Sequence, residues 1–325
     1  MSGKTGVLRQ TVLRFLEEWP YSINYATAGG SLGRGDADAF SDIDITIYCE
    51  DNLLEETHVN KVYEDEIIQL TCLHTRDLPS EHDIYQSPWH ARFLTEILIL
   101  KDTEERFSHI KQVALDHLTS ANGLLTMTQE VTAIVNQRVV AARQALKRGM
   151  GYSAAMSALG AWAEAAFLYL YVTWQSCATQ HVLPCIRTEL NAHYTSLIEN
   201  PPFQRSYDSV SIVKKYRAFL RKYKGDAHSL APLHDELCDR KARRLQEQQD
   251  PVNVTWHMYG EVIWLYFETG EGTPLDSFVG ELPLELKHDL ATIGLTPFRE
   301  KQVETLGQLT EQLIKKVHII VNRTS

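Results

Sequence analysis

The stretch AGGSLGRGDADAFSDIDITIY, residues 28–48, places a glycine-rich turn shortly before two aspartates that alternate with isoleucine. Side chains alternate sides along a strand, so Asp42 and Asp44 share one face while Ile43 and Ile45 point into a core. Two carboxylates this close repel each other unless a cation lies between them, and an all-oxygen ligand set suits hard Mg²⁺. Two such ions, about 4 Å apart, can hold both the attacking and the leaving oxygens of an in-line displacement at phosphorus. The turn supplies what remains. Gly29, Gly30, Gly33 and Gly35 let the backbone approach closely and aim N–H groups at phosphate oxygens; Ser31 adds a hydroxyl donor, and Arg34 belongs to the same candidate nucleotide-binding segment. Asp36 and Asp38 read as solvated or turn-forming.

Outward from this stretch, Val7, Leu8, Val12, Leu13 and Leu16 recur at helical spacing and predict a helix over residues 5–18. YSINYATAG, DIDITIYCE, EDEIIQLTCLH and TEILILKD read as four strands, with SPWHARFL helical before the last. The first 120 residues therefore predict a small α/β domain with a mixed sheet. Beyond LTSANG, residues 118–123, helical periodicity takes over: 127–148, 152–175, 209–224, 230–249, 254–267 and 300–321. The expected organisation is α+β, with an all-α bundle over residues 121–325.

The chain has 325 residues, 44% hydrophobic and 23% charged, with a formal charge of −10. This suits globular folding and disfavours a protein whose main affinity is for nucleic-acid phosphates. The five cysteines are scattered and form no C-x-x-C pair, so they indicate neither a disulfide framework nor a zinc site, and a reducing cytoplasm is the expected compartment. The N-terminus lacks the continuous apolar run of a secretory signal. Residues 152–174 are long enough to span a bilayer, but their first half is mostly Ala, Ser and Gly and their centre carries Glu164. A buried bundle helix is the expected reading, with no membrane partner.

Gly30-Ser31, ten intervening residues and then Asp42-Ile43-Asp44 resemble the signature of the DNA polymerase beta-type nucleotidyltransferase superfamily. The resemblance covers roughly the first 115 residues. It implies transfer of a nucleoside monophosphate, with two Mg²⁺ ions on Asp42 and Asp44 and the triphosphate of ATP held by Gly30, Ser31, Gly33, Arg34 and Gly35. The family often has a third carboxylate on the next strand. Here IIQL puts Gln69 where that acid is expected, and the nearest acid, Glu66, falls on the opposite face. Two strand carboxylates are similar to the plan of the aminoglycoside and lincosamide nucleotidyltransferases, antibiotic-resistance enzymes in which a glutamate of the helical domain acts as base.

That comparison singles out Glu164. Its helical neighbours Gly160, Ala161, Phe167 and Leu168 neither solvate nor pair with it. Burial of a lone carboxylate raises its pKa, which suits a base working near neutrality; pairing with an Arg from another helix would make it structural instead. The basic run over residues 214–224 reads as the wet face of a helix, from which one or two cations could reach a triphosphate. Trp162, Tyr169, Tyr171 and Trp174 read as bundle packing or as platforms for adenine or a sugar. The expected function is AMP transfer from ATP to a small polyhydroxylated, aminoglycoside-like acceptor. Two alternatives stay open: transfer to an RNA end or protein hydroxyl, and a non-catalytic descendant that binds nucleotide or a partner.

Overall fold

The computed structural model describes residues 3–50, 58–206, 208–225 and 227–324. Cα packing divides the chain into two compact units, residues 1–130 and residues 131–323.

Ile43, Ile45 and Ile47, none more than 2% exposed, organise the first unit. Its elements are α1 (Gly3–Glu17), β1 (Tyr25–Ala28), α2 (Gly30–Arg34), β2 (Ile43–Cys49), β3 (His58–Tyr63), β4 (Glu66–His74), α3 (Glu81–Gln86), α4 (Pro88–Ala91), β5 (Leu98–Asp102) and α5 (Arg106–Leu118). The strands form one mixed sheet in the order β3-β4-β2-β1-β5. β2 and β4 run parallel, and the other pairs are antiparallel. Leu8, Val12 and Phe15 of α1 cover one face, closing over the three isoleucines, Ile68 and Leu70. On the other face Tyr25, Tyr48 and Ile97 gather around Phe107 of α5. By strand parity, Asp44 and Tyr48 lie on this second face.

The sequence predicts four strands, and β3 is the fifth. It is an edge strand whose residues are all exposed or half-buried, with Val62 among the exposed, so no inward apolar row marks it. The strand expected over residues 64–74 begins at Glu66, because Glu64 and Asp65 both take positive φ and form the two-residue hairpin turn. Between the expected first and second strands, the glycine segment is not an open turn but the single-turn helix α2.

The second unit is helical. Besides α6 (Ala121–Lys147), inside which the division falls, it comprises α7 (Gly151–Trp174), α8 (Val182–Glu189), α9 (Asn191–Leu197), α10 (Ser209–Lys224), α11 (Leu233–Glu247), α12 (Pro251–Thr269), α13 (Leu275–Glu281), α14 (Leu284–Thr292) and α15 (Glu300–Thr324). Among the described residues α7 is the one helix long and apolar enough to cross a membrane, and 61% of its apolar window is buried within the protein. Trp162 at its middle is fully buried, edge-on to Phe203 at 4.8 Å and to Trp256 at 5.7 Å. Tyr169 and Tyr171 are also buried, whereas Trp174 reaches the surface, where its indole N–H donates to Glu189. All five cysteines are buried free thiols.

The basic run on α10 is a wet face at Lys215, Lys222 and Lys224, with Val213, Tyr216 and Leu220 buried behind it as expected; Arg217 departs from that reading. Arg217 is fully buried, ion-paired to Asp235 of α11 and, at 3.4 Å, to Glu261 of α12; Lys214 pairs with Asp239 at 2.6 Å. Arg217 therefore joins three helices through charge.

Three buried histidines give the second unit a distinctive pH response. Burial pushes His193 and His234 down to about 4 and His257 to about 3. Arg217 and His228 lower His234 further, against Glu261 and Asp235; Lys241 and Arg244 act the same way on His257, and Gln312 weakly opposes the shift of His193. In the unfolded chain these rings titrate near pH 6.5. Between that value and the folded pKa the unfolded state binds more protons, so their contribution is intact above about 6.5 and is lost as pH falls. His257→Gln should flatten the acid limb of stability by about 1.4 kcal/mol per pH unit, read as urea midpoints over that window. An unchanged slope would show that this imidazole is not excluded from protonation.

Candidate active site

Asp42 directly precedes β2, and Asp44 is its second residue. In the parallel ladder Asp44 lies opposite Gln69 of β4. The Gln69 Nε2 sits 2.5 Å from Asp42 Oδ2 and 3.2 Å from Asp44 Oδ1. One amide thus contacts both carboxylates, so the pair shares a face and the position beside it on the next strand is held by glutamine. Ionised carboxylates only accept hydrogen bonds, which is why the NH₂ end faces them. Glu66 is engaged elsewhere, 2.5 Å from Lys4 Nζ on α1. Among the described residues no three His, Cys, Asp or Glu side chains converge as a metal cluster would require. The donor set beside Asp42 and Asp44 is therefore two carboxylates and an amide. These are all oxygen-bearing groups, and the set fits a hard divalent cation with less negative charge than three acids would supply.

The glycine segment abuts this pair. Gly29 N–H donates to the Asp44 carbonyl at 2.9 Å, which fixes the start of α2 against β2. Gly30 has φ +55°, and a Cβ there would meet Asp44 Oδ2 at 2.1 Å. The other glycines serve different ends. A Cβ at Gly33 would collide with the carbonyls of Glu96 and Ala28, and the Gly33 N–H donates to Gly29. Gly35 closes α2 in the left-handed region, with its N–H on the Leu32 carbonyl and its own carbonyl accepting from Thr5. The N–H groups of Gly33 and Gly35 are thus used within the protein, whereas those of Gly30 and Ser31 lie in the first turn, where a helix offers no internal acceptor.

Two side chains of the segment are also engaged. Arg34 bonds Asp36 at 3.2 Å and lies 3.6 Å from Glu96, so the charge expected to face phosphate is met by two carboxylates. Asp38 accepts from the Phe40 N–H and the Ser41 hydroxyl, the turn-forming role that its loop position suggests.

In the second unit Glu164 has a partner from another helix. The Arg138 guanidinium of α6 donates to it at 3.0 Å and lies across Gly160, where a Cβ would come within 2.8 Å of the arginine. Gly160 and Glu164 are one turn apart, so the glycine makes the room through which Arg138 arrives. The pairing is the structural alternative for Glu164, an Arg from another helix; α7 alone does not identify the partner because Arg138 is on α6.

Residues 8–114 match the nucleotidyltransferase domain family, and the first unit of this chain is accordingly a nucleotidyltransferase domain. A crystal structure described as a nucleotidyltransferase-like protein from Exiguobacterium sibiricum 255-15 is similar over 88% of this chain and 89% of that chain, at 15% identity and a TM-score of 0.31. Comparison with curated proteins gives no match.

The contrast between two glycines tests the packing. Gly35→Ala, with open space around its Cβ, should cost only the positive-φ penalty of about 1–2 kcal/mol. Gly30→Ala should cost about 1–3 kcal/mol more, because Asp44 must shift. Equal losses in chemical denaturation would contradict the close fit of Gly30 to the carboxylate.

Proposed function

We propose that this chain is a metal-dependent nucleotidyltransferase that moves AMP from ATP to a hydroxyl of a small polyhydroxylated acceptor, releasing pyrophosphate. The observation that carries this reading is the convergence of Asp42, Asp44 and Gly30 at the start of β2, within a nucleotidyltransferase domain. Asp42 and Asp44 would hold Mg²⁺, which when bound supplies Lewis-acid stabilisation of charge at phosphorus. The first-turn N–H groups of Gly30 and Ser31 are the donors suited to phosphate oxygens, and Gly30 lets them come close to the acid pair.

The acceptor class follows from the resemblance to the aminoglycoside and lincosamide enzymes and from the −10 charge, which suits a cationic or neutral small molecule. From the same resemblance Glu164 is the proposed base for the acceptor hydroxyl; its ion pair with Arg138 at 3.0 Å is the observation that favours the structural role instead, and Glu164→Gln decides between them. A second reading, a nucleotide-binding descendant without turnover, is favoured by one feature, the amide of Gln69 in place of an acid.

Incubation with labelled ATP, Mg²⁺ and a panel of aminoglycosides and lincosamides separates these readings. Pyrophosphate and an adenylylated acceptor are expected; nucleotide binding without either product would overturn transfer to this acceptor class. Asp42→Asn and Asp44→Asn should each abolish transfer yet leave stability equal or slightly raised, because one of two repelling charges is removed. A large loss of stability would make the pair structural. Glu164→Gln should lower kcat by about 10²-fold to 10⁴-fold with KM for ATP unchanged. A lower Tm at unchanged kcat would reduce Glu164 to the partner of Arg138.

A further inference from the structure

A carboxylate pair prepared for cations must survive without them. Asp42 and Asp44 are half-buried and close enough for one nitrogen to contact both, so in the metal-free protein their charges oppose each other in partly desolvated surroundings. A third acid on β4 would worsen this. Gln69 is matched in register to Asp44 and offers two N–H donors from one nitrogen, enough to serve both carboxylates. It also carries an amide oxygen, a neutral ligand acceptable to Mg²⁺ or Mn²⁺.

We propose that Gln69 is a positioning residue that stands in for the cation: its amide holds Asp42 and Asp44 in their ligand geometry when no metal is bound, at the expense of metal affinity. This inference rests on the metal-site reading of Asp42 and Asp44. Its consequence is that the folded state depends little on metal, and that a cation must replace hydrogen bonds that a glutamate at the same position would not make. Gln69 thus sets how strongly stability and metal binding are coupled.

The test compares wild type, Gln69→Leu and Gln69→Glu by thermal unfolding with and without Mn²⁺, and by calorimetric Mn²⁺ titration without nucleotide. Without metal, both variants should melt below wild type, since each removes the donors and the glutamate adds a third charge. With Mn²⁺, Tm should rise more in both variants than in wild type, and Gln69→Glu should bind Mn²⁺ about tenfold or more tighter through its added ligand charge. If metal-free Gln69→Leu melts at or above wild type, or if Gln69→Glu binds Mn²⁺ no tighter than wild type, the proposal is overturned. Asp42→Asn separates this from failure of the metal site itself. If Mn²⁺ binding is the same in wild type and Asp42→Asn, the metal-site reading falls, while the metal-free melting of Gln69→Leu still decides whether the amide restrains the pair.

Discussion

The parallel pairing of β2 with β4 is the constraint on which the candidate site depends. It brings Asp44 into register with Gln69, and the outward position of Asp42, two residues earlier, lets the same amide reach both carboxylates. The strand that presents the acids is fixed from behind by Ile43, Ile45 and Ile47 against α1. A one-residue slip of β2 would turn the isoleucines outward and the aspartates inward, exchanging the most favourable burial in this layer for the least favourable. The hydrophobic core and the position of the acid pair are therefore set by a single choice of register.

The backbone around the pair obeys the same economy of space. α2 is only five residues long, and its start is tied to β2 through Gly29 N–H on the Asp44 carbonyl. The glycines divide their work: Gly30 makes room for the Asp44 carboxylate, Gly33 passes between two carbonyls, and Gly35 reverses the chain after the helix. Only the first of these touches the candidate chemistry. A glycine-rich motif read as one phosphate-facing surface is here one close contact with an acid, supported by two packing and turning devices.

Much of this was legible in the sequence because it rests on local alternation and periodicity. The D-I-D-I pattern fixes the faces of β2, and α10 and α15 start at the residues where their helical periodicity begins. Elements without such a pattern were not legible: β3, an edge strand with no buried residue, and the short helices α8, α9, α13 and α14. The partners of charged residues were hidden for another reason. Arg217 looks solvated on its own helix and is fully buried by Asp235 and Glu261, and Glu164 looks unpaired on α7 until Arg138 arrives from α6. Both pairings join separate helices, with partners 18 to 44 residues apart, which periodicity within one segment does not report. Gln69 was legible as a position but not as a contact, since the register of β4 against β2 is a tertiary fact.

The disposition of cations bears on what could balance a triphosphate at this site. Arg34, the basic residue of the glycine segment, is met by Asp36 and Glu96, and Lys4 on the adjoining helix is held by Glu66. Farther along the chain, Arg217 and Lys214 are committed to Asp235, Glu261 and Asp239 within the helical unit. Phosphate recognition at Gly30 and Ser31 would then rely on backbone N–H groups, which are partial charges, beside two full negative charges on Asp42 and Asp44. Such an arrangement would repel a bare triphosphate and favour one that carries divalent cations, because the cations would answer both the acids and the phosphates. Among the described residues the one arginine of the glycine segment is already met by carboxylates, so under the proposed metal-site reading cations held by the acid pair would supply the positive charge that Arg34 does not.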